Sequence, residues 1–559
     1  VSRGRAVEAA VVPLLVAVLG ALLASGVVSD GLTNDEVVYP PAGYLALTRG
    51  DFRLEPTHPP LGKLLAAAGL LGAPVAWPAP RPGEDPLLYC HRFFHEANEA
   101  GPTMRRARLG PLVLSLGLAL LAWWWCRSVA GPVAGALALA LLAFHPSLLA
   151  HGHLATTDLA SAFTFLFGSW TFWRWRLRPS LGRAVVVALA IGIAVNTRLT
   201  GVLLVPSLAA VWLLEDRSSR PPARALAVLV LMAAVFVPLV TWGSYGFAYE
   251  PWPGATVAKA VSPRLGWGGE VVAWLQDHRL FPEAFLESVR FQMDHALDGH
   301  PAYLLGDSSK TGWRWYFLVA FLVKNTPGFL LAVAVLAFSV WRPPLTDARA
   351  TTAAAPHAPR GVLLHWLVPA AVVFLVASIG RIQIGERYLL PCYPYLALAA
   401  ALPLARLGSR RFGVSAVAGV LLLHAGPSLR ALPHGHLAYF NGVAGGADGG
   451  HRVLLDSNLD WGQDLPRLAA WMRRHGVASV QLAYLGPDVP DRLGIVHEDL
   501  PGVTLYPPRP PRRPFEGVVV VSPNLLYGFP ARLHDPYAFL RGRRPDDRAG
   551  VFFVYRFAS

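Results

Sequence analysis

Two adjacent acids, Asp35 and Glu36, follow the first apolar run, and His58 stands before Pro59, Pro60 and Lys63 where the chain turns apolar again. Four further polar clusters interrupt or join apolar runs: "HGHLATTD" (His151–Asp158), "NTR" (Asn196–Arg198), "KNTP" (Lys324–Pro327) and "RIQIGERYLLP" (Arg381–Pro391). Carboxylates can act as general bases toward a hydroxyl. Arginine and lysine bind phosphate and stabilise charge building on a phosphate leaving group. An ionisable group inside an apolar span is costly and points to function, and Lys324 and Arg198 qualify most clearly. Neither a P-loop nor a Rossmann fingerprint suggests a soluble nucleotide. The mixture therefore suits sugar transfer from a lipid-linked phosphate.

Each of these residues also has a plainer reading. Asp35 could be a solvated helix-end acid, His58 a turn histidine held by prolines, and Asp158 an N-cap. Arg198 could mark a membrane boundary, and Lys324 could snorkel or pair structurally. In "DSNLDWGQD", Asp456, Asn458, Asp460 and Trp461, with Asp464 beyond them, could bind an acceptor or a metal, or could form an Asx-turn-rich loop. His295 and His300 are weaker ligand candidates.

The elements that must position these groups are membrane helices. The 559 residues are 54% hydrophobic and 15% charged, where a soluble domain carries roughly 25% charge. Apolar runs predict about eleven spans: Val7–Val28, Leu109–Cys126, Val133–Leu149, Leu159–Trp175, Ala184–Val195, Leu199–Leu214, Ala225–Trp242, Trp315–Val340, Val362–Ile379, Tyr388–Leu407 and Val414–Leu423. The net charge of +14 sits largely in alternate short turns, as the positive-inside rule expects, and reports topology rather than nucleic-acid binding. Trp123, Trp124, Trp125, Trp170, Trp173 and Trp175 lie beside two of those turns, where interfacial rings are expected. Three cysteines, two of them in spans, argue against a disulfide framework.

With the N-terminus inside, loops 30–108 and 243–314 and the tail from 430 share the outer face, so 1–429 reads as a transmembrane domain and 430–559 as a small extracytoplasmic α/β domain. A short helix is expected at Leu61–Leu71, and an amphipathic one, with Phe285, Val289, Met293 and Leu297 on one stripe, in "PEAFLESVRFQMDHAL". That second helix suits the membrane interface or packing on the tail. Pro343–Pro359 reads as a linker. The tail offers strands in "SVQLAYL", "GVVVVSP" and "GVFFVYRF", and a helix in "DLPRLAAWMRRHG".

Several motifs resemble one family. "NDEVVYPPAGYLAL…HPPLGKLL", "HGHLATTDLASAF", "NTRLTGVLLVP", "GHPAYLLGDSSKTGWRWYFLVAFLVKNTP" and "GERYLLPCYPYLAL" are similar to bacterial relatives of the protein O-mannosyltransferases. These belong to superfamily C of the glycosyltransferases, with the lipid A aminoarabinose transferases. The resemblance implies a polytopic helical fold and a multi-pass protein of the bacterial inner membrane with an extracytoplasmic active site. It implies an inverting transferase using a polyprenyl-phosphate-sugar donor and a hydroxyl of protein, lipid or glycan. Carried onto this chain, the pattern makes Asp35 the base and Glu36 its support. Lys63, Arg198 and Arg387 could meet the donor phosphate, with Lys324 a further cation; Glu55, His58, Asp158, His300 and Tyr388 complete the site. The family carries an Asp two positions before His-Pro-Pro, whereas Pro56 and Thr57 occupy that region here and Glu55 lies three before His58. Metal-dependent cousins use Asp-x-Asp, so the adjacent Asp35–Glu36 pair favours metal-free chemistry over a divalent ion. A polytopic transporter or flippase is the alternative, and an enzyme that ligates or polymerises lipid-linked glycans a further one.

Overall fold

The computed structural model describes residues 3–250, 265–341, 360–504, 515–529 and 535–558; the expected linker at Pro343–Pro359 lies outside them. Among the described residues, five helices are long and apolar enough to cross a membrane: within Glu8–Ser29, Ala100–Ala130, Ala223–Ser244, Gly361–Ile379 and Gly413–His434. Their surfaces show why they need lipid. On Ala223–Ser244, Val230, Leu231 and Val235 are 60%, 58% and 50% exposed, which would be an aggregating patch in water and is an ordinary face in hydrocarbon. The chain is a multi-pass membrane protein.

The expected count of about eleven spans meets several departures, each with a local cause. The run Trp315–Val340 is two helices, Tyr316–Lys324 and Pro327–Trp341, bent by 118°. Pro327 has no amide hydrogen for the earlier helix, and it disfavours helical geometry in the residue before it. Val133–Leu149 likewise breaks, into Pro132–Ala143 and Pro146–His151, with His145 extended ahead of Pro146. Asp158–Leu177 is helical but carries Asp158, Arg174 and Arg176 and is mostly buried among other helices. Leu181–Thr197 and Leu199–Leu214 are short apolar helices, and Arg198 between them is extended. Trp125, Trp173 and Trp175 are buried rather than interfacial; of the six tryptophans, Trp124 is the most exposed.

The first loop folds into Tyr39–Arg49 and Pro60–Ala68, packed so closely that a Cβ on Gly43 would lie 2.1 Å from the Lys63 carbonyl oxygen. The tail holds a five-stranded mixed sheet in the order His497–Asp499, Val480–Ala483, Gly517–Val521, Phe552–Phe557, Asp547–Ala549. Alternation divides its side chains: Val520 and Val554 pack with Leu468 and Met472 of the helix Leu465–His475, while Val519 and Val521 face Leu526 and Leu540. Gly476, at φ +63°, ends that helix in the left-handed conformation. The cysteines Cys90, Cys126 and Cys392 are free and buried.

Candidate active site

Asp35 and Glu36 are adjacent but have opposite surroundings. Glu36 is fully buried and holds Arg108, which donates from Nε to Oε1 at 2.8 Å and from Nη2 to Oε2 at 2.6 Å. The Ala155 amide and the Thr33 hydroxyl complete its shell at 2.8 and 3.0 Å. Burial alone would raise the Glu36 carboxyl; the Arg108 guanidinium and these donors hold it below its ordinary value. Arg108 also donates to the carbonyls of Val27, Asp30 and Gly31, groups that the end of the first helix leaves without helical partners. Glu36 therefore fixes the turn that carries Asp35, and it does not line the cavity described next.

Asp35 faces a cavity of about 490 Å³. Its Oδ2 accepts from Arg387 Nη1 at 2.6 Å, and the same nitrogen reaches Asp158 Oδ2 at 3.4 Å. Asp158 Oδ1 in turn accepts from Arg198. The chain Asp35–Arg387–Asp158–Arg198 thus joins four segments distant in sequence. The Asp35 side chain is 27% exposed and Asp158 is 1% exposed, so the first can meet a ligand while the second holds two guanidiniums. Burial disfavours the charged forms of Arg198 and Arg387, but the facing carboxylates raise both above the usual arginine range. Tyr388 lies with its ring 5.0 Å from the Arg198 guanidinium. Beyond this polar end the wall has an apolar stretch formed by Leu199, Val202, Leu203, Val373, Val376 and Ala377.

The helix Glu283–Asp298 closes another side, bringing Phe291, Gln292 and His295 to the cavity. It packs on the first loop: Ser288 donates to the Pro56 carbonyl at 2.5 Å and Gln292 Nε2 to that of Thr57 at 3.1 Å. The helix, expected at the membrane interface or on the tail, thus lines the site. Met293 and Val289 pack on the helical core, while Leu297 is exposed.

The loop's return has a different task from the one expected. Lys63 Nζ donates to Glu55 Oε2 and to the His58 carbonyl, both at 2.7 Å, and also to the Glu55 carbonyl. Its protons are spent on the loop, and it does not line the cavity. Glu55 also accepts from the Thr57 amide at 3.1 Å, so the Glu55-Pro-Thr departure forms a staple. His58 does line the cavity. Burial, with Arg198 and Lys63, pushes its imidazole below the ordinary value against the opposing Glu55 charge.

Lys324 also departs from expectation. Its Nζ donates to the carbonyls of Leu437 at 2.8 Å and Asn458 at 2.7 Å, in a packed polar pocket that includes His151, Glu386 and His436. It ties the bent helix pair to the tail instead of reaching the cavity. Asn458 is consumed likewise: it accepts from the Glu386 amide at 2.8 Å and donates to the Tyr316 hydroxyl at 3.0 Å. Asp460 accepts from the Ser522 hydroxyl and the Gly462 amide, and burial pushes it up to about 7. Asp456, in the left-handed region at φ +61°, is pushed up to about 6 by burial, against His300 and Arg387. Trp461 is buried with its ring 4.2 Å from the Arg387 guanidinium. None of these four tail residues lines the cavity, and neither does His300, whose ring lies 5.6 Å from that of His295. Among the described residues, no three His, Cys, Asp or Glu are grouped to hold a metal ion.

Residues 91–242 match the family model described as Dolichyl-phosphate-mannose-protein mannosyltransferase. The matched stretch is about a quarter of the chain and holds Arg108, Asp158 and Arg198 of the site. No curated protein matches the chain. Among solved structures it is similar to ArnT from Cupriavidus metallidurans bound to undecaprenyl phosphate, at 15% identity and TM-score 0.44, with 97% of each chain covered. It is also similar to the Archaeoglobus fulgidus oligosaccharyltransferase in complex with Zn and sulfate, at 14% identity and TM-score 0.45, covering 90% of this chain and 59% of that one.

Proposed function

We propose that the protein is an inverting glycosyltransferase that moves a sugar from a polyprenyl-phosphate carrier to a hydroxyl acceptor at the outer face of a membrane, with Asp35 as general base. One observation carries this reading: a partly exposed carboxylate and two arginines share one end of a cavity that also has an apolar stretch of wall, Leu199 to Leu203 and Val373 to Ala377. An apolar wall suits a prenyl chain, and arginine forks suit its phosphate. The matching family's description names a dolichyl-phosphate-linked sugar, which supports the same donor class.

In the reaction, the acceptor oxygen attacks the anomeric carbon as Asp35 takes its proton. The bond from that carbon to the phosphate oxygen breaks, and the electron pair leaves with the phosphate, stabilised by Arg387 and Arg198. Arg387 Nη1 donates to Asp35 Oδ2 at 2.6 Å. An arriving phosphate competes for that guanidinium and frees Asp35 for the acceptor, so the base is released when the donor is in place. In proteoliposomes supplied with polyprenyl-phosphate hexose and a hydroxyl acceptor, the purified protein should release polyprenyl phosphate as the sugar passes to the acceptor. Solute movement across the bilayer with no donor consumption would overturn the proposal in favour of a transporter.

A further inference from the structure

The tail stretch 456–463 has no part in the reaction just described, yet it touches both halves of the polar site. The Asn34 amide, one residue before Asp35, donates to the Trp461 carbonyl at 3.1 Å, and the Gly31 amide to that of Gln463 at 2.8 Å. On the other side, Ser457 Oγ donates to the Ile384 carbonyl and Asn458 Oδ1 accepts from the Glu386 amide, gripping the backbone just before Arg387. Between these ties stands the Trp461 ring, 3% exposed and 4.2 Å from the guanidinium carbon of Arg387. Gly462 allows the turn: its φ is +98°, and a Cβ there would meet Pro487 at 2.9 Å.

The guanidinium needs such a wall. Its Nη1 serves both Asp35 and Asp158, while Nε is buried with no hydrogen-bond partner. Hydrogen bonds at one nitrogen leave the plane of the group free to rotate, whereas an aromatic face fixes that plane. We propose that Trp461 is a positioning residue that sets the plane of Arg387 for the donor phosphate and, through Asn34, holds Asp35 in register with it. The inference rests on the donor-phosphate role proposed above for Arg387.

The test uses the full chain in nanodiscs, with undecaprenyl phosphate as the binding probe and amide hydrogen exchange as a readout that needs no ligand. Trp461→Leu should speed exchange over 384–389, leave strand 517–521 protected, and weaken undecaprenyl phosphate binding about tenfold. Trp461→Phe, which keeps an aromatic face, should bind within about threefold of wild type. Wild-type exchange over 384–389 in Trp461→Leu overturns the inference, as does unchanged binding. If Trp461→Leu does not fold, Ser457→Ala replaces it, with the same direction at about threefold. A wild-type protein with no affinity for the probe defeats the functional reading instead, and the exchange result then decides the positioning role alone.

Discussion

Replacing Asp35 with Asn should weaken catalysis and strengthen phosphate binding together. Arg387 Nη1 lies 2.6 Å from Asp35 Oδ2, so a phosphate oxygen bonded to the same guanidinium would sit roughly 5 Å from the carboxylate, given normal hydrogen-bond lengths. Two like charges at that distance repel by about 3 kcal/mol at an effective dielectric of about 20. The Asp35 side chain is 27% exposed, and water and salt reduce that figure to roughly 1 kcal/mol. Asp35→Asn should therefore bind undecaprenyl phosphate about fivefold more tightly, while kcat for transfer falls by about 10²–10⁴ through loss of the base. Binding by microscale thermophoresis in nanodiscs, at fixed salt, and transfer from a labelled donor give the two numbers. A variant that binds more weakly than wild type would refute the competition for Arg387, and one that transfers at the wild-type rate would refute the base.

Further outcomes follow from the same contacts. Arg108→Ala leaves Glu36 buried without its cation, and should cost about 3–5 kcal/mol of stability, read as a lowered thermal midpoint in detergent. Arg198→Ala should weaken undecaprenyl phosphate binding more than tenfold, whereas Lys324→Ala should lower the thermal midpoint and change that affinity less than about threefold. Asp460 is raised to about 7 by burial, so the folded state holds its proton more tightly than the unfolded one. Its stabilising contribution is complete below the ordinary aspartate value and is lost as pH rises through about 7. Asp460→Asn should flatten that loss, which amounts to at most about 1.4 kcal/mol per pH unit, in thermal melts between pH 5 and about 8.

Much of this site was legible because the chemistry is carried by residue types that a membrane span cannot hold idly. Asp35, His58, Asp158, Arg198, Arg387 and Tyr388 all reach one cavity, and each lay in a polar cluster at the edge of an apolar run. Lys63 and Lys324 fell in equally suggestive clusters, but a lysine's destination depends on which carbonyls lie nearby, and only the fold supplies those of His58, Leu437 and Asn458. Arg108 drew no reading from sequence, since nothing in its spacing announces a carboxylate 72 positions away. Gln292 sat on a helix whose apolar stripe was evident, but nothing in that stripe shows which cavity the opposite residues will line. The bend before Pro327 was foreshadowed by the proline itself, and its 118° was not. Trp461 could not be tied to Arg387 from sequence, because an aromatic ring carries no mark of which cation it will face.

The central claim is a direct displacement at the anomeric carbon with Asp35 taking the acceptor's proton. Its most direct test is the anomeric configuration of the product formed by purified protein from a polyprenyl-phosphate sugar of known configuration, read by NMR beside the Asp35→Asn variant. Direct displacement predicts a product of opposite configuration to the donor and almost none from the variant. Retained configuration, or wild-type yield from Asp35→Asn, would contradict it.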